Sequence, residues 1–306
     1  MSFDCLQDRI RALKSPVAVE LDLRAENLPP ALLARHLEAG GEALACAAGA
    51  VEEYGRLLID GLSGVVPAVS FPAASFELLG WRGMEVLEKL IACAKGHDLF
   101  VIADAQRSGL GSAAADYAAA WLGGVGIGGD RCCVFDADCV TVNGYLGSDC
   151  LGPVLETCWA EDKCALVLAK TANPSSVELE DMVAGDRQVC SVMGDLARRL
   201  ARDTAGKKYG FLALGAVVGT LYPAEMKQLR RRLDRVFFLV PWDGAPESMA
   251  IARHAFDEYG RGAAVCVGCP ILDLCRDSSD AAGITRTARD AAMDLGRRWK
   301  SLVDFL

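Results

Sequence analysis

Two carboxylates, Asp22 and Asp104, lie at or near the ends of short runs rich in aliphatic residues, Val17 to Leu23 and Leu99 to Gln106. A carboxylate in such a place is a strong acceptor, suited to orienting a ribose or other sugar hydroxyl. Lys170, near the end of the run Cys164 to Thr171, offers an ammonium, and Arg107 stands close enough to Asp104 to pair with a carboxylate in a structural role. Cys266 and Cys269 form one C-x-x-C. A zinc site needs four ligands, however, and no second pair follows at suitable spacing, while His36, His97 and His254 are scattered. Glu77 and Asp104 are the carboxylate pair to weigh for Mg²⁺, but Glu77 falls inside a helical stretch, so no metal is expected. Without a neighbouring His or Lys the two thiols are expected to be inert.

The bulk composition narrows the field further. A chain of 306 residues with 52% hydrophobic and 24% charged content can bury a large core and is no disordered polymer. The net charge of −9 works against nucleic-acid binding, which needs a concentrated basic surface. The basic cluster of Lys227, Arg230, Arg231, Arg232 and Arg235 is expected to be the solvated face of a helix. No apolar run reaches the roughly 18 residues that cross a bilayer, and MSFDCLQDRIRALK is too polar and acidic for a secretory signal. Thirteen cysteines then imply reduced thiols, packing as small apolar residues in a cytoplasmic protein.

The elements that would position these groups repeat regularly. Strand-like runs cover residues 17–23, 65–71, 99–106, 138–143, 164–171, 211–219, 235–241 and 263–269, each followed by a helical stretch. Helix starts are signalled by Ser112 after Gly111, by Asn173-Pro174 and by Tyr222-Pro223-Ala224-Glu225. Eight unbroken βα units require parallel strands and right-handed crossovers, and they favour a closed (β/α)₈ TIM barrel, one domain over residues 1–306, above an open doubly wound sheet. Gly123 to Gly129 is glycine-rich but lacks the Lys-Ser/Thr of a phosphate loop, and is expected to be a flexible connection. In a barrel of this kind the chemistry sits at the C-terminal strand ends. That directs attention to Asp22, Ser70, Asp104 to Gly109, Asn143, Thr171 to Asn173 and Gly219.

At those ends the chain resembles a known family. Asp104-Ala105-Gln106-Arg107-Ser108-Gly109-Leu110-Gly111-Ser112 is similar to the Asp-Ala-Lys-Arg-Gly-Asp-Ile-Gly-Ser signature of orotidine 5'-phosphate decarboxylases. Further matches occur in order: Val69 to Gly80, Thr141 to Gly147 with Ser148-Asp149, Thr171-Ala172-Asn173-Pro174, Val217-Val218-Gly219-Thr220, and Pro241-Trp242-Asp243-Gly244-Ala245. They extend from about Val17 to about Ile271 and best resemble the longer, mycobacterial-type branch.

The resemblance implies a decarboxylase of pyrimidine biosynthesis that makes UMP without a cofactor, and a homodimer whose site is completed across the interface. In the family, loss of carbon dioxide leaves a carbanion that an ammonium stabilises and protonates within a Lys-Asp-Lys-Asp array. Here the second-strand lysine position is Ser70, the third-strand lysine is Gln106 and the second aspartate is Gly109; Asp104 is retained. A glutamine amide donates a hydrogen bond but releases no proton near neutrality. Pro246 replaces a phosphate-loop glutamine, Asp243 adds negative charge, Ala172 replaces a serine, and Cys269 or Pro270 stands where an arginine is expected. The expectation is therefore a diverged homologue without decarboxylase activity, acting as a binding or partner subunit. Its small-molecule site at the barrel mouth would use Asp22, Asn143, Thr171, Asn173, Gly219 and Gly244. The alternatives are an active decarboxylase, or a lyase acting on an uncharged ligand with Asp22, Asp104 and Lys170. Trp242 and Tyr145, at loop starts, are expected to pack.

Overall fold

Alternation along a strand sends successive side chains to opposite faces, and in this chain both sets are apolar, as strands buried on two sides require. The structure is a computed structural model that describes residues 2–219, 222–278 and 280–305. Eight parallel strands close into a barrel: β1 (Val17–Glu20), β2 (Ala68–Pro72), β3 (Phe100–Arg107), β4 (Cys139–Val142), β5 (Cys164–Lys170), β6 (Leu214–Val218), β7 (Phe238–Pro241) and β8 (Ala263–Val267). Closure comes from β1 pairing with both β2 and β8, with Ala18 opposite Ala68 and Cys266. Most strands are shorter than their apolar runs. Val65 and Val66, for instance, close a turn on Leu62 rather than entering the ladder.

One set of side chains fills the barrel interior: Ala18, Ala68, Phe100, Ile102, Cys139, Cys164, Leu166, Val217, Leu239, Ala264 and Cys266 belong to one buried cluster. The amphipathic helix Ser2–Leu13 joins that cluster through Phe3, Leu6 and Ile10. Phe3 stacks on Phe237 with ring centroids 4.8 Å apart. Gly215 leaves room for this contact, because a Cβ there would stand 2.8 Å from the Phe3 ring. This helix therefore packs against the barrel interior. The other strand face packs under the surrounding helices, including Ala43–Leu62 and Ala281–Lys300. Asp280 caps the latter by accepting from the Gly283 N–H at 2.7 Å.

Two sequence expectations need correction. The Gly123–Gly129 stretch is not a loose connection: Val125–Ile127 and Asp130–Cys132 form an antiparallel hairpin. Its two turn residues, Gly128 and Gly129, both have positive φ, the conformation of the tight turn whose twist matches the strands. The basic cluster is also not one solvated face. Arg230 is buried, and its guanidinium donates to the carbonyls of Leu233, Val236, Ala255 and Gly262. That side chain closes the backbone where the helix Pro223–Arg232 turns towards β7.

Candidate functional site at the barrel mouth

A cavity of about 670 Å³ opens at the C-terminal strand ends. The inward set of each strand supplies its floor: Glu20 from β1, Ser70 from β2, Asp104 and Gln106 from β3, Thr141 from β4, Leu168 and Lys170 from β5, Val217 from β6, Leu239 from β7 and Cys266 from β8. Thr171, Asn173 and Gly219 also line it. The structure thus brings together Ser70, Asp104, Gln106, Thr171, Asn173 and Gly219. Asn143 and Gly109 instead line a smaller apolar recess beneath the helix Ser112–Trp121. Asp22 is engaged locally, accepting from Ser75 and from Arg24 Nε. Gly244 has φ 86°, and a Cβ there would lie 2.5 Å from Pro270, so backbone conformation and packing both demand glycine. Thr220 lies outside the described residues.

Asp104 is held entirely by neutral donors. Thr141 Oγ1 donates to its Oδ1 at 2.6 Å, and Gln106 Nε2 to its Oδ2 at 3.3 Å. The Gln106 N–H in turn donates to Thr141 Oγ1 at 3.0 Å. Gln106 adopts φ 50°, where the β3–β4 register shifts, so a left-handed non-glycine residue aims this amide. Among the described residues no lysine or arginine forms an ion pair with Asp104. Lys170 lines the same cavity, but its ammonium donates to Asp181 at 2.7 Å and to Ser176 Oγ at 3.2 Å, with Glu180 at 3.8 Å. Glu180 also accepts from the N–H and hydroxyl of Thr171. The loop after β5 therefore supplies the carboxylates that hold both polar groups at that strand end. Arg107 pairs with Glu77, away from Asp104.

Glu20 was not among the residues singled out in the sequence. Its signal was available, because it precedes Asp22 by two positions and so shares the inward face. Burial, and then the nearby charges of Asp104 and Asp22, push its carboxyl up from the ordinary 4.5 to about 7. As pH rises from about 4.5 towards 7, the unfolded chain releases this proton while the folded chain keeps it, so stability falls through that window. The displacement is worth at most about 3 kcal/mol. Glu20→Gln is accordingly expected to stabilise the protein by about 1 to 3 kcal/mol near pH 8 and to leave it unchanged near pH 4. Urea denaturation across that range is the measurement, and parallel pH profiles for the two proteins would contradict this account of Glu20.

Across the cavity, Asp243 follows β7 and accepts from the Ala245 N–H at 2.9 Å and from Ser248 Oγ, which hold its carboxyl below the usual carboxylate range. Cys269 and Pro270 line the same rim. Trp242 packs against Trp299 with centroids 5.5 Å apart and donates from Nε1 to the Ala245 carbonyl. Tyr145 is exposed, and Cys266 is buried with its thiol pushed well up, which suits packing rather than attack.

A curated orotidine 5'-phosphate decarboxylase of Rhodopirellula baltica is 35% identical over 252 residues, covering 82% of this chain and 81% of that protein. One from Caldicellulosiruptor bescii is 34% identical over 241 residues, 79% of each chain. The chain belongs to the orotidine 5'-phosphate decarboxylase family. A Leishmania donovani OMP decarboxylase matches the fold with a TM-score of 0.73 at 24% identity, covering 99% of this chain and 98% of that one. A Plasmodium berghei orotidine 5'-monophosphate decarboxylase gives 0.74 at 16%, covering 98% of each. No protein-family model matches. Within the orotidine 5'-phosphate decarboxylase frame, this barrel mouth presents Glu20, Asp104, Asp181, Glu225 and Asp243 as its acidic lining and Lys170 as its basic lining, among the described residues.

Proposed function

We propose that this protein is a diverged orotidine 5'-phosphate decarboxylase homologue that does not decarboxylate, and that its barrel mouth binds an uncharged, hydroxyl-bearing small molecule. The observation that carries this reading is the charge of the cavity: among the described residues its lining holds five carboxyl groups, of which Glu20 titrates at about 7, and one ammonium, that of Lys170, already paired with Asp181. Orotidine 5'-monophosphate brings a phosphate and a carboxylate of its own. At an effective dielectric near 20, each unpaired carboxylate about 7 Å from a phosphate opposes it by roughly 2 kcal/mol per unit charge. The Asp104 carboxylate, by contrast, lines the cavity as an acceptor for a sugar hydroxyl.

The competing reading is an active enzyme, and family membership is what favours it. Titration calorimetry with uridine and UMP separates the two. Uridine is expected to bind at least about 10-fold more tightly than UMP, a difference of about 1.4 kcal/mol. Tighter binding of UMP would overturn the proposed ligand class.

A homodimer joined at the barrel mouth is part of the same proposal. Leu78 and Trp81 after β2, Leu110 after β3, Tyr145 after β4 and Val183 after β5 are exposed around one half of that face. Exposed apolar side chains at successive strand ends are candidates for such an interface. Sedimentation of the intact chain should give a dimer that Trp81→Glu weakens. The described residues contain no helix long and apolar enough to cross a membrane.

A further inference from the structure

The helices Val189–Leu200 and Pro223–Arg232 end beside one another, and a groove of about 520 Å³ lies between their last turns. Six arginines line it: Arg187, Arg198, Arg199, Arg202, Arg232 and Arg235. Asp195 and Asp234 are its acidic lining, which leaves the lining strongly positive in a chain whose net charge is −9. Leu212, at the N-terminal approach to β6, forms part of the wall, so the groove lies away from the mouth at the other end of the strands.

The arginines are held together rather than dispersed. The Asp195 carboxylate accepts from Arg187 Nη1 at 2.8 Å and from Arg232 Nε at 3.0 Å, with Arg198 Nη2 at 3.6 Å. Hydrogen bonds from Arg232 are the leading cause of a carboxyl held below its usual range. One negative charge thus gathers three positive ones, and two remain uncompensated at that point. Arg235 is steadied by donating from Nε to the Gly210 carbonyl at 3.1 Å, and among the described residues its two terminal nitrogens form no ion pair. Exposed pairs with Asp186 and Asp203 engage Arg187 and Arg202, and pairs so solvated are worth at most about 1 kcal/mol.

Basic residues in a last helical turn complement the helix dipole. That accounts for Arg198, Arg199 and Arg232 but not for Arg187, Arg202 and Arg235, which lie outside the two helices. The geometry points to a binding site for a compact polyphosphate-type anion in this groove. Guanidinium forks match phosphate oxygens in pairs, several are preassembled, and the volume falls within the roughly 300 to 1,000 Å³ of small-molecule sites. Among the described residues no aromatic ring lines the groove to stack a base, and Asp234 in its lining, with Asp186 and Asp203 paired to its arginines, would face an extended backbone, which disfavours nucleic acid.

The test is titration of the intact protein with tripolyphosphate at constant ionic strength near physiological. Saturable binding at one site is expected, weakened at least about 10-fold by Arg199→Gln with Arg202→Gln, neither of which holds the fold together. Arg297→Gln with Lys300→Gln, on the helix Ala281–Lys300, changes the net charge equally and should leave binding intact. Absence of saturable binding, or equal loss in both double variants, would overturn the site, the latter by showing diffuse attraction. So would a DNA duplex that binds more tightly than tripolyphosphate and is lost with the Arg199 and Arg202 changes.

Discussion

Purified protein supplied with orotidine 5'-monophosphate is expected to form UMP at a rate at least about 10⁴-fold below that of a family member carrying both lysines. A positioned general acid is worth about 10²- to 10⁴-fold, and preorganised charge roughly 3 to 4 kcal/mol more, although such losses do not simply add. Here the groups touching Asp104 are a glutamine amide and a threonine hydroxyl, and neither supplies positive charge or a proton. Gln106→Lys alone should not restore turnover. It returns an ammonium beside Asp104, but Ser70 remains neutral, and Gly109 sits so close to the following helix that a Cβ would lie 3.0 Å from the Ala113 and Ala114 backbone. Carbon dioxide release from wild type and Asp104→Ala decides the matter. Turnover that disappears with Asp104 would establish an active enzyme, whereas turnover common to both proteins would belong to a contaminant.

Arg230→Met is expected to destabilise the protein by about 3 to 5 kcal/mol. Burial lowers the guanidinium to about 10, so it is still charged at neutral pH. Its four carbonyl acceptors come from three separate stretches, and its plane lies over Phe238 at 4.1 Å. Removing the charge recovers part of the desolvation cost, yet four buried carbonyls lose their donor, at about 1 to 3 kcal/mol for each that stays dry. For a chain of this length the expected fall in Tm is about 5 to 8 °C. A change below about 1 °C would mean that the backbone around Gly262 is held by other contacts. Arg231→Met, one residue along and exposed, is the control.

The sequence by itself determined the barrel. Eight apolar runs separated by helical stretches have few ways to bury two strand faces, and regular βα order leaves parallel closure as the economical one. It also determined which polar residues would stand at strand ends, because Asp104, Ser70 and Lys170 follow from strand position alone. Tertiary structure decided what those residues do. Whether Lys170 serves Asp104 or Asp181 depends on the path of the loop after β5, and no local pattern encodes that path. Asp22 and Gly244, expected from the sequence as ligand positions, meet Ser75 and Pro270, which stand 53 and 26 residues away in the chain. The arginines after residue 226 look alike in sequence, yet one is buried as a backbone clamp while two others join a groove with Arg187, Arg198, Arg199 and Arg202. A local pattern fixes which face of an element a side chain occupies, whereas charge pairing depends on distances set by the whole fold.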